Sequence, residues 1–274
     1  MNKLGIIGGG NMAESLIGGL LASAHKASAI QVSEPNKKRC AQLSEKYNIH
    51  CLNNNSVLAG QSDLLLFAVK PQLLREVAEP LKQAIQAKRP LIISIAAGVR
   101  STDLNHWLGG GLAIVRVMPN TPALVRAGAS GLYANYLVSP LQRDLAESIL
   151  RSVGITVWLE NEAQMDIVTA LSGSGPAYIF RIIEAMEEAA TRAGMERETS
   201  RLLAIETVLG AAKLAMESDD TPEELRCKVT SPGGTTEKGL QQLEQGNIEQ
   251  LFENAINAAI DRSREMGDEL GADS

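Results

Sequence analysis

Two glycine-rich segments of this chain have residue types suited to holding charged ligands. The first is Gly8-Gly9-Gly10-Asn11-Met12-Ala13, which fits the pattern G-x-G-x-x-A. Gly8 permits a tight turn, Gly10 lets the backbone approach a pyrophosphate, and Ala13 lets a helix lie close to the preceding strand. A helix starting here turns free N–H groups and a partial positive charge toward phosphates. A glycine turn of purely structural use has the same composition, but this one sits between an apolar run, Leu4–Ile7, and a helical pattern from Met12. That context favours dinucleotide binding. The second segment is Ser231-Pro232-Gly233-Gly234-Thr235-Thr236. Its glycines expose backbone N–H groups ahead of a helix, a setting suited to a carboxylate. The alternative makes Thr235 and Thr236 simple N-caps. Elsewhere the chain has no G-x-S-x-G elbow, no Ser–His–Asp pattern and no HExxH, which counts against a hydrolase. His25, His50 and His106 sit at no ligand spacing, so no metal site is expected.

The elements that must position these residues can be read from periodicity. Runs rich in Ile, Val and Leu fall at Leu4–Ile7, Ile30–Val32, Leu64–Val69, Leu91–Ile95, Ala113–Val117 and Ile155–Leu159. Spaced by helical patterns such as Met12–Ser23 and Leu141–Val153, they read as βαβ units and a parallel sheet. From Glu162 onward no convincing strand is visible. Asp166–Leu171, Tyr178–Ala193, Arg201–Met216 and Ile248–Met266 read as helix. Pro176 suits a first helical turn, and Thr221-Pro222-Glu223-Glu224 reads as an N-cap, an N1 proline and an acidic first turn. The predicted fold is therefore α/β, an N-terminal Rossmann-type parallel-sheet domain over residues 1–162 followed by an all-α C-terminal domain over 163–274. The helices from Tyr178 to Met216 are rich in Ala, Ile, Leu and Met. Their apolar faces are candidates for packing on a second subunit, or on one another.

The chain has 274 residues, and aromatics make up only 3%, so the core is built from Leu, Ile, Val, Ala and Met. Net charge is -6 and the densest basic cluster is Lys37-Lys38-Arg39, which disfavours nucleic-acid or anionic-membrane binding. Cys40, Cys51 and Cys227 form no CxxC, an argument against a disulfide framework and a zinc site, and each is expected to be a small buried or neutral residue. No membrane span or signal peptide is expected, and a cytoplasmic location follows. Glu34, after the second strand, stands where an acidic side chain bonds the ribose hydroxyls of NAD and repels a 2′-phosphate. Ser33, Asn36, Lys37, Lys38 and Arg39 lie close by and are able to hold such a phosphate, although Lys37–Arg39 also reads as the solvated start of a helix. Lys70 follows a strand and precedes Pro71. It is placed to meet cofactor phosphate or ribose rather than to donate a catalytic proton.

Further segments are more specific. They are Ala68-Val69-Lys70-Pro71, Ser94-Ile95-Ala96-Ala97-Gly98-Val99, Val115-Arg116-Val117-Met118-Pro119-Asn120-Thr121-Pro122, Leu171-Ser172-Gly173-Ser174-Gly175-Pro176-Ala177-Tyr178 and Val229 to Thr236. Together they resemble the pyrroline-5-carboxylate reductase family from Gly5 to about Arg264. The resemblance implies reduction of 1-pyrroline-5-carboxylate to L-proline, the last step of proline biosynthesis, with NADPH or in some members NADH. It also implies a C-terminal domain that interlocks in a homodimer, and dimers that can assemble into rings. Ala68, Val69, Lys70 and Pro71 are then cofactor residues, Asn55 contacts the adenosine part, and Ile95, Ala96 and Ala97 lie along the nicotinamide. Ile7, Gly8, Gly9, Gly10, Asn11, Met12, Glu34 and Asn120 complete the cofactor set. Glu162, Lys228, Gly233, Gly234, Thr235 and Thr236 are the implied substrate residues. Two positions depart from the family: Glu34 replaces a small polar residue, and Lys228 stands where Asn is common.

Hydride transfer to a C=N bond asks little of side chains, because the cofactor brings the hydride and a cyclic imine is itself fairly basic. Thr236 is the candidate catalytic residue, its hydroxyl reaching the ring nitrogen. Two rivals remain. A β-hydroxyacid-type Rossmann dehydrogenase generally carries a lysine on a helix after the sheet, but here no lysine lies between Lys88 and Lys213. A non-catalytic nucleotide-binding regulator predicts a damaged substrate segment, but Ser231–Thr236 is intact.

Overall fold

The computed structural model describes residues 2–271. Eight strands form one sheet: β1 (Leu4–Ile7), β2 (Ile30–Ser33), β3 (His50–Leu52), β4 (Leu64–Phe67), β5 (Leu91–Ser94), β6 (Ile114–Met118), β7 (Gly128–Ala134) and β8 (Gly154–Trp158). Their order is β3-β2-β1-β4-β5-β6-β7-β8. Pairing is parallel except between β6 and β7. The first six strands thus have the doubly wound order 3-2-1-4-5-6, which reverses direction between β1 and β4. Two of the strands, β3 and β7, were not visible in the apolar pattern.

Buried parallel strands must be apolar on both faces, and these are. In β4, Leu64 and Leu66 point into one cluster while Leu65 and Phe67 point into the other. The first face is covered by α1 (Asn11–Ala22) and α7 (Pro140–Arg151), through Leu16, Ile17 and Leu20 and through Ala146, Ile149 and Leu150. The opposite face is covered by α3 (Asn55–Gln61), α4 (Pro71–Ala78), α5 (Lys82–Lys88) and α6 (Ser101–Trp107), with Leu58, Leu74, Ile85, Leu104 and Trp107 inward. Each fully buried leucine stabilises the fold by roughly 1.5–3 kcal/mol relative to exposure. At the edge, α2 (Lys37–Tyr47) begins at an Asn36 cap and leads into β3.

The cysteine expectation fails here. Cys40 and Cys51 form a disulfide between α2 and β3, with their Cα atoms 5.6 Å apart, and Cys227 is exposed. The helix runs back over the strand it precedes, which brings together two cysteines whose spacing matches no motif.

After β8 come α8 (Gln164–Val168), a π-helical turn at Thr169–Gly173, α9 (Gly175–Arg192), α10 (Arg197–Glu217), α11 (Pro222–Lys228), α12 (Thr235–Gln245) and α13 (Ile248–Gly271). By packing, one compact unit runs to Ser174 and takes up the chain again from Ala258, and the other is Gly175–Asn257. In the first unit α8 packs with the sheet and the end of α13 returns to it: Ser263 Oγ donates to Asp166 Oδ1 (2.7 Å) and Arg100 pairs with Asp268. In the helical unit α9 and α10 pack on each other, yet of α10 only Ser200 and Ala204 are buried. Phe180, Leu202 and Leu209 remain more than half exposed. Among the described residues no helix is long and apolar enough to cross a membrane.

Candidate active site

The cradle is built where β1 and β4 end side by side, Ile7 in register with Phe67. Gly8 has φ +97°, and a Cβ there would lie 2.5 Å from the Ala68 carbonyl oxygen, so only glycine fits. Ala68 N donates to Ile7 O (2.8 Å), which holds the two strand ends together. Gly10 is the N-cap of α1 and provides no side-chain cap, and a Cβ on it would meet nothing within 4 Å. The first amides of α1, from Asn11, Met12 and Ala13, have no hydrogen-bond partner among the described residues. Ala13 is fully buried against the sheet, which fixes the angle of the helix. This geometry fits a dinucleotide pyrophosphate on both counts the pattern demands, close approach and unpaired donors.

Other expected cofactor residues surround the same sheet edge. Lys70 caps α4 and is exposed, and its ammonium has no hydrogen-bond or ion-pair partner among the described residues. Ile95 and Ala97 are half-buried after β5, and Ala96 is buried in the core. Asn55 is the first residue of α3, behind its Asn54 cap. Asn120 is different. Its side chain is buried, donates to Ser172 O (3.0 Å) and accepts from Ala129 N (2.9 Å), so both ends of the amide brace the fold.

Beyond β2 a polar network closes around Glu34. Its carboxylate accepts from Gly9 N (2.8 Å) and from Asn36 N (2.9 Å). Asn36 Oδ1 accepts from Lys38 N (3.0 Å) and Arg39 N (3.2 Å). Arg39 Nε donates to Gly9 O (2.6 Å), and its Nη2 pairs with Glu14. Lys46 and Tyr47 also donate to Glu14. Those donors, Lys46 first and then Arg39, hold the Glu14 carboxyl down at about 2.

A second cluster was only partly legible in the sequence. Glu162 accepts from Ser101 N (2.6 Å), Ser101 Oγ (2.6 Å) and Arg116 Nη1 (3.1 Å). Its carboxylate is thus held by the start of α6 and by Arg116, which is buried on β6. Burial pushes the neighbouring Asp103 carboxyl up, with the Glu162 charge adding to it. The sequence signal for this cluster was Arg116 itself, a cation in the middle of the apolar strand Ile-Val-Arg-Val-Met.

The helical unit carries the other segment. Gly233 has φ +72°, its N–H donates to Glu237 Oε2 (2.7 Å), and Gly234 N donates to Ser231 O (3.0 Å). Both glycine amides are therefore engaged inside the turn. Gly234 is the N-cap of α12 and supplies no side-chain bond, so Thr235 and Thr236 are the first two helical residues and not caps. Both are exposed, and their hydroxyls have no partner among the described residues. The free donors of this helix start are the Thr235 and Thr236 amides and hydroxyls. Lys228 ends α11 with its ammonium on Asp220 Oδ2 (2.5 Å), so it is paired within the protein.

A sheet whose order reverses at a glycine cradle is the construction of dinucleotide-dependent oxidoreductases, and the fold places the chain in that class. The N-terminal part, residues 3–98, matches the family model "NADP oxidoreductase coenzyme F420-dependent", and residues 162–266 match "Pyrroline-5-carboxylate reductase dimerisation". The pyrroline-5-carboxylate reductase of Pseudomonas aeruginosa is 45% identical over 269 residues, 98% of each chain, and that of Pasteurella multocida is 43% identical over 270 residues, 95% of this chain and 96% of the other. Among solved structures, a pyrroline-5-carboxylate reductase from Coxiella burnetii matches with TM-score 0.93 at 44% identity, covering 97% of this chain and 98% of that one. The Plasmodium falciparum pyrroline carboxylate reductase with NADP bound matches with TM-score 0.86 at 32% identity, with 97% and 98% covered. The chain belongs to the pyrroline-5-carboxylate reductase family.

Proposed function

We propose that this chain reduces 1-pyrroline-5-carboxylate to L-proline with NAD(P)H, as a homodimer in the cytoplasm. The reading rests on the match to named reductases over 98% of the chain. A reduced nicotinamide, when bound, supplies the hydride for the imine carbon. The protein's own part is binding and orientation. Asn11–Ala13 present amides to the pyrophosphate, and Lys70 adds a free cation at the same sheet edge. Thr235 and Thr236 offer the imino acid's carboxylate two amides at the start of α12, and the Thr236 hydroxyl accepts from the protonated ring nitrogen and orients it. The imine nitrogen takes its proton from water before reduction, so no protein acid of matched pKa is required. The exposed Phe180, Leu202 and Leu209 fit a helical face completed by a second copy.

The direct test is absorbance at 340 nm with purified protein, imine and either cofactor. Imine-dependent oxidation is the expected result, and cofactor binding without oxidation would leave a nucleotide-binding regulator. In the same assay Lys70→Ala should raise the cofactor KM about tenfold and the imine KM far less, as loss of one charged contact does. The reverse pattern would assign Lys70 to the substrate.

A further inference from the structure

The family resemblance leaves the choice between NADH and NADPH open, and the two cofactors differ only by a phosphate on the adenosine 2′-oxygen. That phosphate carries close to two negative charges at neutral pH and needs unpaired donors. The adenosine ribose of a doubly wound fold lies at the end of β2, so the donors there decide the matter. In this chain four backbone amides and two of the Arg39 guanidinium nitrogens are already committed. Gly9 N and Asn36 N donate to Glu34, Lys38 N and Arg39 N donate to Asn36, and Arg39 is divided between Gly9 O and Glu14. Among the described residues the side-chain donors left there are the exposed Lys37 and Lys38, Asn36 Nδ2, the Ser33 hydroxyl and Arg39 Nη1. The end of β2 also offers acceptors. A carboxylate has about four acceptor positions, and Glu34 uses two of them on backbone amides. Two are left for the donors a ribose supplies, its 2′- and 3′-hydroxyls.

We propose that Glu34 and Glu14 together make this chain select NADH over NADPH. Glu34 acts directly, by accepting from the ribose hydroxyls and repelling a 2′-phosphate. Glu14 acts at one remove: by pairing with Arg39 it keeps the nearest guanidinium from that phosphate. Glu14 is ionised at every working pH, held by Lys46, Arg39 and Tyr47, so the pairing does not lapse. The selection rests on the reductase reading for its purpose but not for its test.

The experiment is a fluorescence titration of NADH and NADPH without imine, followed by displacement of NADH with AMP and with adenosine 2′,5′-bisphosphate, which differ only at the 2′-position. The native chain should bind NADH on the order of 10- to 100-fold more tightly than NADPH, and the bisphosphate should displace no better than AMP. Glu34→Gln, which keeps the size and one acceptor oxygen, should bring the two cofactors to within a few-fold. Adding Glu14→Gln should improve NADPH and the bisphosphate further, and Arg39→Ala should cancel that added gain. Equal or tighter NADPH binding by the native chain would overturn the proposal. So would a Glu34→Gln protein that loses both cofactors equally, the behaviour of a residue that only braces the turn, and so would failure of the native chain to bind NADH. If binding shows the selection while no imine is reduced, the reductase reading fails and the selection stands. If imine is reduced with no preference between cofactors, the reverse holds.

Discussion

The two glycine-rich helix starts follow the same physical plan, yet they are held very differently. At each, a glycine with positive φ lets the chain turn, a glutamate accepts from a glycine amide, and the next helix opens without a side-chain cap. At the first, Glu34 takes Gly9 N at 2.8 Å, and at the second, Glu237 takes Gly233 N at 2.7 Å. The first is walled in: a Cβ on Gly8 would run into the Ala68 carbonyl, and Ala13 and Leu16 are fully buried. At the second nothing lies within 4 Å of a Cβ on Gly233, and Thr235 and Thr236 are exposed. A preformed cradle suits a large cofactor whose phosphates must meet fixed amides. The open start leaves its hydroxyls unpaired, as a site for a small ligand requires.

The comparison breaks first if Thr236 is inert. Thr236→Ala should lower kcat/KM for the imine on the order of 10- to 1,000-fold while leaving NADH binding and the unfolding midpoint where they were. Unaltered kcat/KM would remove its catalytic role. A smaller but sharper contrast comes from one substitution made at both turns. Gly8→Ala forces a residue with a Cβ into φ +97° and into the Ala68 carbonyl. It should cost about 2–4 kcal/mol of stability and abolish cofactor binding. Gly233→Ala meets the φ strain alone and should cost about 1 kcal/mol, with its main effect on the imine KM. Urea unfolding of both variants reads the difference, and equal costs would mean the second turn is as tightly enclosed as the first.

Most of the first region could be read in the sequence, and less of the second. The turn at Gly8–Ala13 and the apolar strands are local patterns. β3 escaped because His-Cys-Leu is three residues long and half polar, and β7 because Gly-Ala-Ser-Gly-Leu-Tyr-Ala is too rich in small residues to look like a strand. Side-chain commitments were hidden for a different reason. Glu162 is taken by groups 46 and 61 positions away and Asn120 by one 52 away, and no spacing rule reaches so far. The pairing of Lys228 with Asp220, eight residues earlier across the cap of α11, follows no motif either. The fold class and the family were therefore legible. Which of the implied site residues are free for ligands was not, since that depends on partners only the tertiary structure supplies.

The smallest effect lies in the acid limb of stability, where the surroundings of the two regions again differ. Glu14 braces the first cradle through Arg39, Lys46 and Tyr47, and Asp220 pairs with Lys228 below the second segment. Both carboxyls are lowered, Glu14 to about 2 and first of all by Lys46, Asp220 first of all by Lys228. A lowered carboxyl stabilises the folded state above its unfolded value, and that contribution is lost as pH falls through the folded one. Stability should therefore drop between about 4.5 and about 2 on account of Glu14. Other carboxylates titrate in the same range, so the informative quantity is native minus variant. Glu14→Gln should flatten that part of the acid-unfolding curve. Asp220→Asn should change it less, and added salt should erase its share, because Asp220 pairs with Lys228 at 62% exposure, whereas Glu14, beside the equally exposed Lys46, also holds Arg39 at 25%. If the two variants flatten the curve equally at high salt, the enclosure that distinguishes the first region does not extend to its charges.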